Sequence, residues 1–310
     1  MKIVIIGSGG RLGAALTREY RDKFDVVGFN HAQLDLANFE QVRAKVGALD
    51  FDVLINCAAF TNVDLCETQR DQAFRINAEA PRVLGEICRD KKAKLIHFST
   101  DYVFDGEKRE PYTEDDVAKP ISFYGESKRE GEKLVLQTDD RHLVVRVSWV
   151  FGPDRPSFID GMIKRARENE HVEAIADKFS TPTYTLDIVE MLPRFFDPVA
   201  GVVDPGSATS ERGKTGVDDS SYSGILHFAN AGECSWQEYA QFSLDCCRSL
   251  GLPLKAKTVG ALRLSDMKSW IARRPVFSVL SATKYIAMTG TSPRTWRGAV
   301  ADYVREFVRH

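Results

Sequence analysis

The sequence has no long apolar run and no excess charge of either sign. Among its 310 residues, 42 Lys and Arg nearly balance 44 Asp and Glu, which leaves a formal net charge of −2. A broad nucleic-acid or anionic membrane surface needs clustered excess positive charge, and a membrane-spanning helix needs about 20 apolar residues in a row. We therefore expect a small-molecule or protein partner, no nucleic acid and no membrane.

Cysteine and histidine are also sparse, with six residues of each type. The cysteines form no C-x-x-C pair and the histidines show no ligand spacing, so we expect reduced thiols and no metal site. His97 and His227 lie in apolar segments and are expected to be core or pocket-edge residues. The apolar stretch 3–6 is too short for a secretory signal, and we expect a cytoplasmic protein.

Short apolar runs alternate with amphipathic helical patterns over the first two-thirds of the chain. The predicted strands are mostly apolar along their whole length: 2–6, 25–29, 53–56, 94–99 and 142–149. The helical patterns between them cover 10–22, 39–46, 69–90 and 124–137. Buried strands joined by helices are typical of a parallel sheet with both faces covered. The pattern predicts an α/β fold, a Rossmann-type doubly wound parallel sheet with a smaller C-terminal substrate-binding lobe.

The chain is long for one domain, since most domains have about 100 to 200 residues. Residues 1–150 are predicted to form an NAD(P)-binding domain, with some returning segments from about 151–230. Residues from about 151–310 are predicted to form mainly the substrate-binding lobe. The stretch 204–224 is rich in Gly, Ser, Thr and Asp, which is typical of a surface loop insertion.

A glycine-rich turn joins the first predicted strand to the first helix. Gly7, Gly10 and Gly13 follow a G-x-x-G-x-x-G spacing, and Arg11 and Leu12 lie within it. Such a turn brings backbone N–H groups and a helix N-terminus against a pyrophosphate. The motif predicts a dinucleotide site, and a tight turn without a ligand is the alternative.

The end of the second predicted strand lacks the carboxylate that usually holds a ribose 2′-hydroxyl. Arg11 would be able to pair with a 2′-phosphate there, which favours NADP(H) and leaves NAD(H) open. Asp35 is expected either near the adenine or as the cap of the next helix. Further residues at strand ends complete the predicted cofactor site: Asn30, Asp35, Leu36, Cys57, Ala58, Ala59 and Ser99.

Tyr124 and Lys128 form a Y-x-x-x-K pair at the start of a predicted helix. The spacing of four places both side chains on one helix face. A nearby ammonium and the positive charge of a nicotinamide would stabilise the phenolate and bring the tyrosine into the range of acid–base chemistry, and Lys128 would also bond a cofactor ribose. Thr100 ends a buried strand, where ligands of open α/β sheets bind. We therefore predict Thr100, Tyr124 and Lys128 as catalytic residues, with Tyr124 and Lys128 also at the cofactor.

Four segments carry a resemblance to a known family: S-T-D-Y-V-F-D-G at 99–106, Y-G-x-x-K at 124–128, R-V-S-W-V-F-G at 146–152 and R-P-x-x-S-x-L at 274–280. The chain resembles the extended short-chain dehydrogenase/reductases and, more narrowly, the dTDP-4-dehydrorhamnose reductase family. The resemblance implies that Tyr124 protonates a keto oxygen, that Trp149 lies beside the sugar and that Arg274 approaches the nucleotide. The substrate-binding residues that it implies are Thr100, Asp101, Tyr102, Trp149 and Arg274.

The implied reaction is NAD(P)H-dependent reduction of a nucleotide-linked 4-keto-6-deoxy sugar, dTDP-4-dehydrorhamnose to dTDP-L-rhamnose. Related dehydratases carry Asp-Glu after the strand-end Thr, and Tyr102 in place of that Glu argues for simple reduction. Lys178 stands where the family has Gln, and Ser180 where it has Gly. Ala14 and Ala15 replace the acidic residue of a magnesium-bridged dimer, so no such metal is expected.

Two other functions stay open at this point. A regulatory subunit of methionine adenosyltransferase has a similar 99–106 segment and binds a dinucleotide, so this chain would be able to bind NADP and regulate a partner. A nucleotide-sugar epimerase would keep the same three catalytic residues. The chain is expected to be a monomer or a homodimer. Because net charge is close to zero, individual cations such as Lys178, Arg273 and Arg274 would have to meet an anionic substrate.

Overall fold

The computed structural model describes residues 1–196 and 223–308, so the predicted loop 204–224 lies outside the described residues except for its last two positions. The strands are β1 (Lys2–Ile6), β2 (Asp25–Phe29), β3 (Val53–Asn56), β4 (Lys94–Thr100), β5 (Leu143–Val147), β6 (Val150–Phe151), β7 (Val172–Ile175), β8 (Phe179–Ser180), β9 (Thr183–Tyr184), β10 (Gly224–His227), β11 (Cys234–Ser235) and β12 (Val259–Leu262). The helices are α1 (Arg11–Tyr20), α2 (Phe39–Gly47), α3 (Val63–Thr68), α4 (Arg70–Phe74), α5 (Ala80–Lys91), α6 (Phe123–Thr138), α7 (Phe158–Glu168), α8 (Thr185–Met191), α9 (Trp236–Ser249), α10 (Thr283–Thr289) and α11 (Trp296–Phe307).

Six strands form one central sheet in the order β10-β5-β4-β3-β1-β2, and every neighbouring pair is parallel. The chain winds outwards from β1 first to β2 and then in the other direction through β3, β4 and β5. Parallel strands need crossover connections, and helices supply them here. This arrangement confirms the predicted α/β fold with a doubly wound parallel sheet.

Apolar side chains on both faces of the sheet pack against helices, which explains the continuous hydrophobicity of the strands. On one face, Ile3 and Ile5 belong to a core with α1 and α8; on the other, Val4 and Ile6 pack with α2 and α5. Alternate residues of β1 therefore serve opposite layers, as the two-residue period of a strand requires.

Two predicted elements differ from the structure. The helical pattern 69–90 is divided into α4, a π-helical turn at Arg75–Glu79 and α5, which begins with Pro81 in its first turn. The predicted strand 142–149 ends at Val147, because Trp149 has a φ of +39°, a left-handed conformation that no strand accepts. Both irregularities lie close to the candidate active site, where π-turns and unusual backbone angles are common.

A second apolar core lies beyond the sheet and is rich in aromatic residues. It joins α7, α9 and α11 around side chains such as Phe151, Tyr239 and Trp296. Three short two-stranded ladders, β6 with β9, β7 with β12 and β8 with β11, complete this region. In the described part of the chain, no helix is both long and apolar enough to cross a membrane.

Candidate active site

The glycine turn between β1 and α1 leaves no room for side chains. Gly7 has a φ of +84°, and a Cβ on Gly7 would lie 2.8 Å from the backbone nitrogen of Ala58. A Cβ on Gly13 would lie 2.2 Å from the carbonyl oxygen of Gly7, so α1 packs directly on the turn. Gly10 caps α1 without a side-chain hydrogen bond, which leaves the N-terminal N–H groups of the helix available to an anion. The turn therefore fits a pyrophosphate.

The end of β2 lies against this turn. A Cβ on Gly28 would lie 2.9 Å from Cβ of Ser8, and the backbone N–H groups of Gly7 and Ser8 both donate to the carbonyl of Phe29. The Asn30 side chain accepts hydrogen bonds from two backbone N–H groups of its own loop. Asn30 is thus placed beside the predicted dinucleotide site.

The alternative role of Asp35 as a helix cap is wrong. Asn38 caps α2 by accepting from the N–H of Gln41, whereas Asp35 accepts from the N–H of Ala37 in the preceding turn. The Leu36 side chain, like that of Leu12, is buried in an apolar core. The predicted cofactor contacts of Leu12 and Leu36 would therefore have to involve their backbone atoms or the edges of their side chains. These contacts stay predictions.

Arg11 is engaged differently from the expectation. Its guanidinium donates to the backbone carbonyls of Val150, Arg155 and Pro156, which follow β5. A pairing with a 2′-phosphate would break these hydrogen bonds, so the expected basis for NADP selectivity is not present. Instead, Arg11 ties the glycine turn to the start of the second lobe.

The structure brings the three predicted catalytic residues to one edge of the sheet. Thr100 ends β4, and Lys128 of α6 donates to the carbonyl of Phe98 in the same strand. Tyr124 and Lys128 lie in the first turns of α6, whose N-terminus is capped by Ser122. Ser99, the residue before Thr100, has a buried hydroxyl without a partner among the described residues, a position that suits a ligand hydrogen bond.

The electrostatics of Tyr124 differ from the prediction. Burial raises the pKa of the phenol above its usual value, the neighbouring Thr100 hydroxyl opposes this, and the Asp101 carboxylate adds to it. Lys128 is not among the causes of the shift. The expected lowering of the pKa by the Lys128 ammonium and a nicotinamide charge together stays a prediction, in which the bound nicotinamide would have to supply the larger part.

Lys128 is buried beneath the site, with 1% of its surface exposed. Its ammonium nitrogen lies 2.7 Å from the carbonyl oxygen of Phe98 and 3.1 Å from Nε2 of His97. Burial lowers the pKa of Lys128 to about 8, and Glu132 and Cys57 act in the opposite direction. Cys57 directly follows β3 and precedes Ala58 and Ala59.

Asp101 was predicted to bind substrate, but its carboxylate is buried and already hydrogen-bonded. Thr100 donates to one oxygen, and three serines donate to the other: Ser148, Ser180 and Ser278. Ser148 directly follows β5, Ser180 lies in β8, and Ser278 lies in the C-terminal segment. The structure thus corrects the prediction: Asp101 joins the sheet to the second lobe.

Lys178, expected from the sequence to be one of the cations that meet an anionic substrate, lies behind two aromatic rings. It is fully buried, donates to the carbonyl of Pro275 at 2.9 Å and lies 5.2 Å and 5.6 Å from the ring centroids of Tyr102 and Trp149. The Tyr102 ring in turn meets the Tyr124 ring edge-on at 5.6 Å. The replacement of the family's Gln by Lys was visible in the sequence and marked position 178 as unusual. The sequence did not predict that the Lys178 side chain is buried behind two aromatic rings.

Arg274, predicted to approach the nucleotide, is paired within the protein. It forms two hydrogen bonds to the carboxylate of Asp64 at 2.7 and 2.8 Å and stacks on Trp270 at 4.0 Å. The Arg274 hydrogen bonds are the largest cause of the lowered pKa of Asp64, ahead of burial, which opposes them. The pair fastens the C-terminal segment to α3. Arg273, by contrast, is exposed.

The described residues contain no group of three His, Cys, Asp or Glu side chains arranged to hold a metal ion. The site instead consists of a glycine turn for a pyrophosphate, a Thr–Tyr–Lys set at the sheet edge and an aromatic surface of Tyr102 and Trp149. Both Tyr102 and Trp149 are partly exposed. The indole Nε1 of Trp149 is buried without a partner among the described residues.

Comparison with known proteins gives one family and several close relatives. The family model described as RmlD substrate binding domain matches residues 1–309. The spore coat polysaccharide biosynthesis protein SpsK of Bacillus subtilis (strain 168) is 32% identical over 98% of this chain and 97% of its own length. A dTDP-4-dehydrorhamnose reductase of Mycolicibacterium smegmatis is 35% identical over 99% of this chain and 86% of its own length.

A solved structure is similar over nearly the whole chain. It is dTDP-4-dehydrorhamnose reductase from Bacillus anthracis str. Ames in complex with NADP, with a TM-score of 0.84 and 28% identity. The match covers 98% of this chain and 99% of that one. The similarity therefore includes both the sheet and the second lobe.

Proposed function

The chain belongs to the RmlD substrate binding domain family, and from that premise we propose that it reduces the 4-keto group of a dTDP-linked 6-deoxy sugar with NADPH. It is an NAD(P)-dependent oxidoreductase. The preferred substrate is dTDP-4-dehydrorhamnose and the product dTDP-L-rhamnose, as the names of several relatives suggest. The observation that carries the proposal is the placement of Thr100 at the end of β4 and of Tyr124 and Lys128 in the first turns of α6, with Lys128 donating to the carbonyl of Phe98 in β4.

NADP(H) is favoured as the cofactor because a family member of known structure binds NADP, and NAD(H) remains possible. The residues that would hold the dinucleotide are those of the glycine turn, with Asn30 at the end of β2 and Ala58 and Ala59 after β3. The unpartnered Ser99 hydroxyl and the side-chain-free turn fit such a ligand. When bound, the nicotinamide supplies a hydride to the carbonyl carbon.

The chain's own residues supply the proton and the orientation. Tyr124 donates its phenolic proton as negative charge develops on the carbonyl oxygen, and Thr100 orients that oxygen once its hydroxyl turns from Asp101 to the substrate. The raised pKa of Tyr124 keeps the phenol protonated before the reaction. Tyr102 and Trp149 offer ring faces to the sugar, because aromatic surfaces pack well on the apolar side of a pyranose.

The division of labour between two lobes is part of this proposal. Residues 1–150, together with the returning strand β10, would bind the dinucleotide, and the remaining residues from about 151 onward would cover the sugar nucleotide. The chain would act in the cytoplasm as a monomer or homodimer, where dTDP sugars and NADPH are available.

The test is an assay of the purified chain with NADPH and dTDP-4-dehydro-6-deoxy-L-mannose, followed by loss of NADPH absorbance. One NADPH should disappear per sugar reduced, and NADH should be the poorer donor. The proposal fails if NADPH is bound but never consumed with this sugar. That result, together with a co-purifying partner, would favour a regulatory dinucleotide-binding protein, and epimerised product without net NADPH loss would indicate an epimerase.

A further inference from the structure

Three buried side chains form a continuous line beneath the candidate active site. Lys128 Nζ lies 3.1 Å from His97 Nε2, and His97 Nδ1 lies 3.1 Å from Asn56 Nδ2. Asn56 and His97 are paired across β3 and β4 in the sheet register. Each of the three side chains is at most 1% exposed, so their polar atoms depend on one another and on the backbone for hydrogen bonds.

The direction of these hydrogen bonds follows from one backbone contact. The side-chain oxygen of Asn56 accepts from the N–H of Ala58 at 3.1 Å, which turns the amide NH2 towards His97. An NH2 group only donates, so Nδ1 of His97 has to accept and the ring proton lies on Nε2. That N–H is directed at Lys128 Nζ. An ammonium has no lone pair, and only a neutral amine accepts this hydrogen bond.

We propose that His97 and Asn56 are positioning residues that couple the protonation state of Lys128 to the backbone at Ala58: the observed line is the one that a neutral amine requires, and proton uptake by Lys128 reverses it. To accept from an ammonium, His97 has to free Nε2 and carry its proton on Nδ1, so the ring stays neutral and the net gain is one proton. Asn56 then has to turn its oxygen to His97 and its NH2 away, which breaks the hydrogen bond from Ala58.

The consequence reaches the predicted cofactor site. The backbone nitrogen of Ala58 packs against Gly7: a Cβ added to Gly7 would lie 2.8 Å from it. Protonation of Lys128 is therefore linked to the backbone that borders the glycine turn. The link offers a route by which the charge on Lys128 and the occupancy of the dinucleotide site affect each other.

Burial favours the neutral amine of Lys128, and the two neighbouring acidic groups, Glu132 and Cys57, oppose it. Glu132, one turn further along α6, is held by two hydrogen bonds from Arg146 at 2.6 and 2.8 Å and so has its own cation. Cys57, from the end of β3, has a pKa that burial raises, which keeps it an uncharged thiol. Burial lowers the pKa of His97 well below its usual value, which keeps the ring neutral in both arrangements of the line.

The direct test is a nitrogen-15 NMR titration of the full chain, with the His97 signals identified by their loss in His97→Gln. We expect the Nε2–H tautomer at high pH and conversion to Nδ1–H as Lys128 gains its proton, with a midpoint near the lowered pKa of about 8. A Nδ1–H tautomer at high pH, or no change of tautomer between about pH 6 and about pH 10, would overturn the inference.

A second test uses Asn56→Asp. A carboxylate accepts from both Ala58 and His97 Nδ1–H, which leaves Nε2 free to accept from an ammonium. We expect the limb of the kcat/KM profile that reports Lys128 to move upward by about one pH unit, a tenfold change in proton affinity. A profile that coincides with the wild type would contradict the assignment.

The matched control is His142→Gln. His142 is equally buried, and its ring nitrogens contact the N–H of Leu95 and the carbonyl of Gly85, away from Lys128. Its replacement should reduce stability and leave the pH profile in place. The kcat/KM measurement on Asn56→Asp rests on the proposed function, whereas the NMR titration of His97 does not. Absence of turnover in the wild type would therefore refute the proposed function while the tautomer measurement still decides this inference.

Discussion

The two sides of the candidate active site are built from contacts of different range. On the dinucleotide side, Gly7, Gly10 and Gly13 lie within one turn, and Tyr124 and Lys128 lie on one helix. On the sugar side, the defining contacts join residues 97 to 210 positions apart: Lys178 with Pro275, Ser278 with Asp101, and Arg274 with Asp64.

This difference indicates that substitutions are able to change substrate specificity on the sugar side more easily than on the dinucleotide side. The dinucleotide side depends on backbone shape, and steric contacts of 2.2 to 2.8 Å forbid any side chain at Gly7 or Gly13. The sugar side depends on side-chain pairs and rings, which tolerate replacement one at a time. We expect substitutions on the first side to abolish catalysis and those on the second to alter sugar affinity.

The largest effect is expected for Tyr124→Phe. Without the phenolic proton, kcat for keto-sugar reduction should fall by about 10²- to 10⁴-fold, because Thr100 orients the carbonyl without being acidic enough to protonate it. Stopped-flow absorbance of NADPH measures the rate, and NADPH binding should persist. Tyr102→Phe is the matched control, and equal losses in the two variants would break the comparison.

Asp64→Asn is expected to come next. It weakens the two hydrogen bonds from Arg274, and interactions of this charged kind contribute about 1–3 kcal/mol. Chemical denaturation should show that loss of unfolding free energy, with a raised KM for the sugar nucleotide and unchanged affinity for NADPH. Asp245→Asn removes an exposed pair with Arg248, each 44% exposed, and should change stability by less than about 0.5 kcal/mol.

The Asp64→Asn variant also predicts how the stabilising effect of the Asp64–Arg274 pair depends on pH. The pKa of Asp64 is lowered in the folded protein, so its stabilising contribution is present above the ordinary carboxyl pKa of about 4 and is lost as pH falls below it. The stability difference between wild type and Asp64→Asn should therefore shrink in acid. A difference that grows with acidity would contradict the pairing with Arg274.

The smallest effect is expected for Lys178→Gln, which restores the residue typical of the family. Its ammonium lies under the rings of Tyr102 and Trp149, and cation–π contacts of this kind contribute about 0.5–2 kcal/mol each. We expect KM for the sugar nucleotide to rise several-fold, with kcat within about twofold. Lys178→Met, which keeps the length without charge or hydrogen bonding, should raise KM further. A fall in kcat at constant KM would place Lys178 in the chemistry instead.

The sequence predicted the local features well and the long-range ones poorly. The bounds of β1, β2 and β3 follow from apolar runs that end at turn residues, and the four-residue spacing of Tyr124 and Lys128 follows from helical geometry. The partners of Asp101 and Arg274 depend on how remote segments pack, which no local pattern encodes. His97 was expected at the core or pocket edge, but its contact with Lys128 depends on how α6 packs on β4, and its contact with Asn56 depends on the register between β3 and β4.

The central claim is that the chain transfers a hydride from NADPH to C4 of a nucleotide-linked keto sugar. The most direct measurement is a turnover with NADPH that carries deuterium at the transferable position, followed by mass spectrometry and NMR of the sugar nucleotide. The account predicts one deuterium per product, located at C4, with one NADPH oxidised. Product without deuterium, or deuterium at another carbon, would contradict it.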